Sequence, residues 1–181
     1  MNRKTSIFCR RYKNEKYEDR FAKRPAESAR SVGVWGVFNF FGMGPIQAYS
    51  NRMDGQTYIK ILFEHLLPWK ENHTENHDSF IYQQDNAPCH RSAIVKKWFH
   101  DVGLTSMMWP SYSPDLNPIE NVWADIDRHL VKFPAKCLTD LEAEIAYAWH
   151  HYPQDKIRNL IESMPNRIKL CIEAKGNHTK Y

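Results

Sequence analysis

Hydrophobic positions fall into short blocks whose spacing changes along the chain. Between residues 31 and 41, Val32, Val34 and Val37 mix with Trp35, Phe38, Phe40 and Phe41 in a dense β-branched and aromatic run, which predicts a strand. Gly42-Met43-Gly44-Pro45 is expected to break that run before a second strand at 46–49, giving a β-hairpin. No Gly-Lys-Ser/Thr follows these glycines, so they do not form a phosphate cradle. Asp54 is placed to cap a helix over 55–67, where Ile59, Leu62, Phe63, Leu66 and Leu67 make one apolar face. A polar loop over 70–78 then leads to a strand at 80–84 that stops at Asp85, followed by an Asn86-Ala87-Pro88 turn.

Residues 92–102 return to helical spacing, with Ile94, Val95, Trp98, Phe99 and Val102 on one side and Gly103 as terminator. A further strand is expected at 104–109. Pro110 and Pro114 hold an extended loop before Asn117, which reads as an N-cap with Pro118 at N1 and Glu120 at N3 of a helix reaching about residue 131. Three more helices are predicted, opened by Thr139 or Asp140, by Pro153 and by Pro165. Upstream, residues 6–12 suit a short strand, whereas 13–30 are charged, contain Pro25 and show no clean period, as expected of a loop or arm. Strands interleaved with helices and then a run of helices predict an α/β sheet domain with a helical C-terminal layer.

Composition narrows the class without deciding it. The 181 residues suit one domain, and 42% hydrophobic with 25% charged residues is ordinary for a globular protein. The longest apolar runs fall far short of the roughly 20 residues of a membrane span, and the basic, polar N-terminus has no secretory apolar block. Cys9, Cys89, Cys137 and Cys171 form no CxxC pair, which favours a reduced protein without disulfides or a zinc knuckle. The net charge of +4 is uneven: residues 1–35 carry +6 and the remainder −2. A basic arm on a near-neutral body suits either a polyanion partner or a solvated tail.

The chemistry concentrates in two motifs. Asp85 ends one strand and Glu120 stands in the first turn of a helix, with residues 86–119 between them. Singly, each has a plain local role, Asp85 in an Asx turn and Glu120 in a capping box. Together they are two hard-oxygen ligands on rigid elements, and ligand sites in α/β sheets gather at the carboxyl ends of strands. They are expected to face one another across such a site. His90 is placed to orient a phosphate or to cap the following helix. No Ser or Cys nucleophile with the needed partners supports a catalytic triad, and Cys89 reads as a small packing residue. Arg91, Lys96, Lys97, Arg128 and Lys132 lie on polar faces of the two flanking helices and suit either solvent or a nucleic-acid backbone.

These residues carry a family resemblance. Val34-Trp35-Gly36, Met43-Gly44-Pro45, Gln83-Gln84-Asp85-Asn86-Ala87-Pro88 with His90, Trp109-Pro110, Ser113-Pro114-Asp115-Leu116-Asn117-Pro118-Ile119-Glu120 with Trp123, and Ser163-Met164-Pro165 follow one another in order. The chain resembles the catalytic domain of the Tc/mariner superfamily of DNA transposases, in its Tc branch, over roughly residues 8–181. The resemblance implies a ribonuclease-H-like mixed sheet flanked by helices, an Asp-Asp-Glu triad binding Mg²⁺ or Mn²⁺, and DNA cleavage and strand transfer. Asp85 matches the second aspartate and Glu120 the glutamate, at the 34-residue interval of the Tc branch.

The family's first aspartate lies on a first strand upstream of the matched region, and no acid of this chain stands in a comparable strand context. The expectation is therefore a domain lacking the first strand, truncated at its N-terminus, with 1–30 as basic arm and partial strand and 31–181 as the transposase DDE domain. It is expected to bind metal weakly and to be inactive alone. DNA is the expected partner, contacted by Arg10, Arg11, Lys13, His90, Arg91, Lys96, Lys97 and Arg128; self-association and nuclear location follow from the resemblance. Two other readings stay open: a noncatalytic nucleic-acid-binding or domesticated interaction protein, and a ribonuclease-H-like nuclease with a replacement acid.

Overall fold

The computed structural model of the chain describes residues 32–50, 52–73, 80–177 and 179. The expected arm over 1–30, with Arg10, Arg11 and Lys13, lies outside the described residues.

The first apolar run forms β1 (Gly33–Asn39), paired antiparallel with β2 (Gly42–Tyr49). Strand alternation explains why this run is apolar at nearly every position. Trp35 and Val37 enter one hydrophobic core, while Val34 and Phe38 pack on a second, so the hairpin is covered on both faces. Asn39 makes the turn, its Oδ1 accepting from the amides of Phe41 at 2.9 Å and Gly42 at 3.2 Å. Residues 42–45, expected as a break, belong to β2. A register irregularity between Gly36 and Phe38 lets the ladder accommodate Pro45.

Asp54 caps α1 (Gly55–Ile61), accepting from the Thr57 amide at 2.8 Å. The helix does not end at 67. It widens into a π-helical stretch at Leu62–Leu66 and continues as α2 (Leu67–His73), so 70–73 are helical where a loop was expected. Pro68 accounts for the widening. Proline lacks an N–H and crowds the carbonyl one turn back, and the wider turn, in which Leu67 N–H reaches Leu62 O, absorbs that misfit without stopping the helix.

β3 (Ile81–Tyr82) and β4 (Thr105–Ser106) pair in parallel, joined through α3 (Ala93–Asp101). Both strands are shorter than expected. Gly103, at φ +64°, ends α3: its N–H reaches His100 O at 3.2 Å and the Leu104 N–H reaches Phe99 O at 2.9 Å. A Cβ there would meet nothing within 4 Å, so the glycine serves backbone conformation alone. Among the described residues the strands therefore form two two-stranded sheets, where a single mixed sheet was expected. Antiparallel and parallel pairing are both present, divided between them.

The remainder is helical: α4 (Ile119–Lys132), α5 (Leu138–His150), α6 (Gln154–Glu162) and α7 (Met164–Glu173). The cap of α5 is Cys137, whose Sγ accepts from the Asp140 amide at 3.4 Å, in place of the expected Thr139 or Asp140. Val122 and Ile126 of α4 meet Ile145 and Trp149 of α5 in the second core. Trp149 is fully buried, stacks on Trp123 at 5.0 Å and donates to Gly44 O at 2.8 Å. Gly36 makes room for it, since a Cβ there would lie 2.6 Å from the indole. Among the described residues no helix is long and apolar enough to cross a membrane.

Candidate active site

Asp85 follows β3 by three residues, and the packing around the strand fixes where it points. Tyr82 and Tyr58 are buried in the first core with their hydroxyls 3.3 Å apart, and Trp35 Nε1 donates to Tyr82 Oη at 3.2 Å. Tyr58 Oη donates to Gln84 Oε1 at 2.6 Å, and Gln84 Nε2 reaches Ser106 Oγ on β4 at 3.3 Å. The strand end is thus held on both sides before the chain reaches Asp85. Burial raises the Tyr58 hydroxyl well above its ordinary pKa, so it stays a neutral donor.

One oxygen of Asp85 does two jobs. Oδ1 accepts from the Ala87 amide at 3.0 Å, the expected Asx turn, and lies 2.7 Å from His90 Nδ1. The His90 hydrogen bond, aided by the Ala87 amide, overcomes burial and holds the Asp85 carboxyl at about 2. Burial alone would lower His90, but hydrogen bonds with Asp85 and Cys89 outweigh it and raise the imidazole to about 9. Burial opposes ionisation of Cys89 as well, yet its hydrogen bond with His90 leaves the thiol below its ordinary value. The His90 side chain is 9% exposed and its ring stacks on Tyr58 at 4.2 Å. It faces the carboxylate and the tyrosine, not solvent.

Glu120 arrives from the other motif. The 3₁₀ turn Pro114–Leu116 leads into α4, which starts one residue later than the sequence pattern suggests, with Pro118 at the cap position and no side-chain cap hydrogen bond. Asn117, the expected cap, has its Oδ1 3.2 Å from Gln83 Nε2, and this bond ties the two motifs together. Behind it stands Arg167 of α7, 1% exposed. It donates from Nη1 to Asp115 O at 2.9 Å, from Nη2 to Asn121 Oδ1 at 2.8 Å and from Nε to Ser163 Oγ at 2.8 Å. Those contacts bracket Glu120 on either side in sequence.

Asp85 and Glu120 line one cavity of about 330 Å³, walled by β1, by the strand leading to Asp85 and by the start of α4. Asp85 also borders a second cavity of about 300 Å³, with Arg91, Lys96, Asn86, Met108 and Trp109 around it. Of the predicted cations, Arg91 and Lys96 are thus brought to the carboxylate. Lys97 is paired with Asp101 at 2.6 Å, and Arg128 with Asp125, both away from these cavities. Among the described residues no group of three or more His, Cys, Asp or Glu side chains is assembled to hold a metal. The donor set is two carboxylates, which suits Mg²⁺, an ion that usually keeps several waters and takes one or two carboxylates with substrate phosphate oxygens. Sequence reasoning did not single out Tyr58 and Arg167. Both lie far from Asp85 and Glu120 in sequence, and only their contacts mark them.

Comparison with known proteins identifies the family and the fold. The family model of the DDE superfamily endonucleases matches residues 15–142. The Tcb1 transposase of Caenorhabditis briggsae is 40% identical over 151 residues, and the Tc1 transposase of Caenorhabditis elegans 38% over 151. Each match covers 83% of this chain, which spans about half the length of these relatives, 55% in both. Among solved structures, the Mos1 transposase catalytic domain with Mn superposes with a TM-score of 0.76 at 15% identity, covering 83% of this chain and 78% of that one. The Mos1 mariner paired-end complex with Mn superposes with a TM-score of 0.78 at 16% identity, covering 88% and 48%. The shared fold is ribonuclease-H-like, and the chain belongs to the DDE superfamily of endonucleases.

Proposed function

We propose that this chain supplies part of the metal site of a Tc/mariner-type transposase, a protein that cleaves DNA phosphodiester bonds and transfers strands with divalent metal, with Asp85 and Glu120 as two of the acidic ligands. The observation that carries this reading is the convergence of these carboxylates, 35 positions apart in sequence, on one cavity. Bound Mg²⁺ or Mn²⁺ would polarise the phosphate and lower the pKa of an attacking water or 3′-hydroxyl. The residues of the chain prepare for that chemistry. The depressed pKa of Asp85 keeps it an anionic oxygen donor at neutral pH. Glu120 sits in the first turn of α4, whose dipole favours negative charge there. Arg91 and Lys96, both exposed beside Asp85, are positioned to receive the flanking phosphates, which orients the strand without reading its bases. Such an activity places the working protein on nuclear DNA.

Among the described residues two carboxylates line the cavity, and two acids make a weaker site than three. The chain tested alone is therefore expected to bind a single divalent ion loosely and to leave DNA uncut. The experiment is Mn²⁺ titration of the ¹⁵N-labelled chain, with nicking of supercoiled plasmid followed in parallel. Paramagnetic broadening is expected to centre on Asp85 and Glu120 and to vanish in Asp85→Asn and Glu120→Gln. Broadening centred elsewhere, or unchanged in both variants, would overturn the assignment. Metal-dependent nicking abolished by Asp85→Asn would instead show that a further acid of this chain completes the site.

A further inference from the structure

The hydrogen bonds at Asp85 are distributed unequally between its two oxygens. Oδ1 receives both the Ala87 amide at 3.0 Å and His90 Nδ1 at 2.7 Å. Among the described residues Oδ2 has no hydrogen-bonding or ion-pairing partner, although the side chain borders both cavities described above. The donor ring is itself immobilised. His90 Nδ1 lies 3.3 Å from the Asp85 carbonyl oxygen, the Arg91 amide closes the turn onto Ala87 O at 3.2 Å, and Tyr58 packs on the imidazole face. Tyr58 is fully buried and anchored through Gln84.

We propose that His90 is a positioning residue for Asp85: it fixes Oδ1, with the Ala87 amide, so that Oδ2 alone is presented to a divalent ion. The proposal rests on the reading of Asp85 as a metal ligand and assigns His90 a task distinct from touching DNA. The physical reason is rotational. A carboxylate with one anchored oxygen cannot swing about its Cα–Cβ and Cβ–Cγ bonds, so the free oxygen stays in place while metal and substrate arrive. With both oxygens free, the side chain would sample several rotamers, and each ligation event would have to immobilise it again. An Asx turn alone supplies one donor. The imidazole adds a second, with its face packed on Tyr58.

The test uses two substitutions that separate the N–H from the ring. His90→Asn places an amide nitrogen near the position of Nδ1, and His90→Phe keeps the stack on Tyr58 without any donor. In the ¹³C,¹⁵N-labelled chain, three-bond couplings are expected to show one Asp85 χ1 rotamer in wild type and in His90→Asn, and averaged rotamers in His90→Phe. Apparent Mn²⁺ affinity near Asp85 is expected to fall about 10- to 100-fold in His90→Phe and to stay close to wild type in His90→Asn, as is usual when a group behind a metal ligand is lost or kept. The imidazole ¹⁵N spectrum of the wild-type chain is expected to show a protonated, hydrogen-bonded Nδ1. A single Asp85 rotamer in His90→Phe, equal behaviour of the two variants, or a bare Nδ1 in wild type would each overturn the proposal. Absence of Mn²⁺ broadening at Asp85 and Glu120 in the wild-type chain would overturn the metal-site reading instead, and the rotamer comparison would still decide whether His90 anchors the carboxylate.

Discussion

Replacing Arg167 by Met tests the claim that a buried guanidinium holds the Glu120 motif in place. Arg167 is 1% exposed and gives three hydrogen bonds of 2.8–2.9 Å to groups on three segments: Asp115 O before α4, Asn121 Oδ1 within it and Ser163 Oγ at the start of α7. A methionine fills most of the volume but donates nothing, so each acceptor loses a charge-assisted bond worth about 1.5–3 kcal/mol. The losses are not additive, because the charge leaves with its own desolvation cost. Breaking one side of a buried charged cluster costs about 3–5 kcal/mol in practice. With a urea m-value of about 2 kcal/mol/M, the unfolding midpoint of Arg167→Met is expected to drop by about 1.5–2.5 M. Arg167→Lys is expected to fall between, since one ammonium cannot serve three acceptors arranged around a planar fork. In spectra of the folded variant, Asn121 and Glu120 amides are expected to shift more than those of α6. A midpoint within about 0.3 M of wild type for Arg167→Met, or equal stability of the Lys and Met variants, would refute the reasoning.

Three further outcomes follow from the same structure. The His90–Asp85 pair makes stability pH-dependent on two sides: the raised His90 contributes fully below about 6.5 and is lost as pH rises through about 9, and the lowered Asp85 contributes above about 3.9 and is lost as pH falls toward about 2. The shifts correspond to about 3 kcal/mol at the His90 end and about 2 kcal/mol at the Asp85 end; His90 also gains from Cys89, so the smaller figure describes the pair, and urea midpoints of Asp85→Asn are expected to lose the acid limb and to keep only the part of the alkaline limb that Cys89 supplies. Gly36→Val places carbon 2.6 Å from a Trp149 ring already fixed by Trp123 and Gly44, so a loss of about 1–3 kcal/mol is expected by thermal unfolding, and an unchanged melt would show that the indole can yield. DNA affinity of the chain is expected to be indifferent to sequence and to fall steeply with salt, and deleting residues 1–30 is expected to remove most of it; equal affinity of full and shortened chains in fluorescence anisotropy would exclude the arm as the binding segment.

How much of this was legible beforehand depends on the range of the forces involved. Local signals read well. Asp54 caps its helix, Gly103 ends another and Pro153 precedes a third, because each acts on backbone groups within a few residues. The apolar run at 32–41 reads as a strand from its β-branched and aromatic content. Its lack of clean alternation is explained by cores on both faces. Errors arise where one local signal competes with another. The helix from 55 is expected to end at 67, yet a π-helical turn carries it past Pro68; Asn117 reads as a cap, yet Gln83 claims its amide oxygen.

The site divides along the same line. Asp85 and Glu120 stand out in the sequence because each lies in a dense motif at a defined element end. That they share a cavity is a tertiary fact, secured by bonds that span the chain: Gln83 to Asn117, Arg167 to Asp115, Trp149 to Gly44. None of these pairs has a periodicity or spacing that could announce it. His90 shows the consequence most clearly. Beside a carboxylate in sequence and followed by Arg91, it resembles a phosphate ligand, because a sequence shows that a polar ring is near an acid but not which way the ring turns. The turn at 87–91 and the tyrosine from α1 decide that direction, and they turn the imidazole onto Asp85. A motif thus states which groups take part in the chemistry, while the core packed behind it determines which group meets the substrate and which one holds its neighbour still.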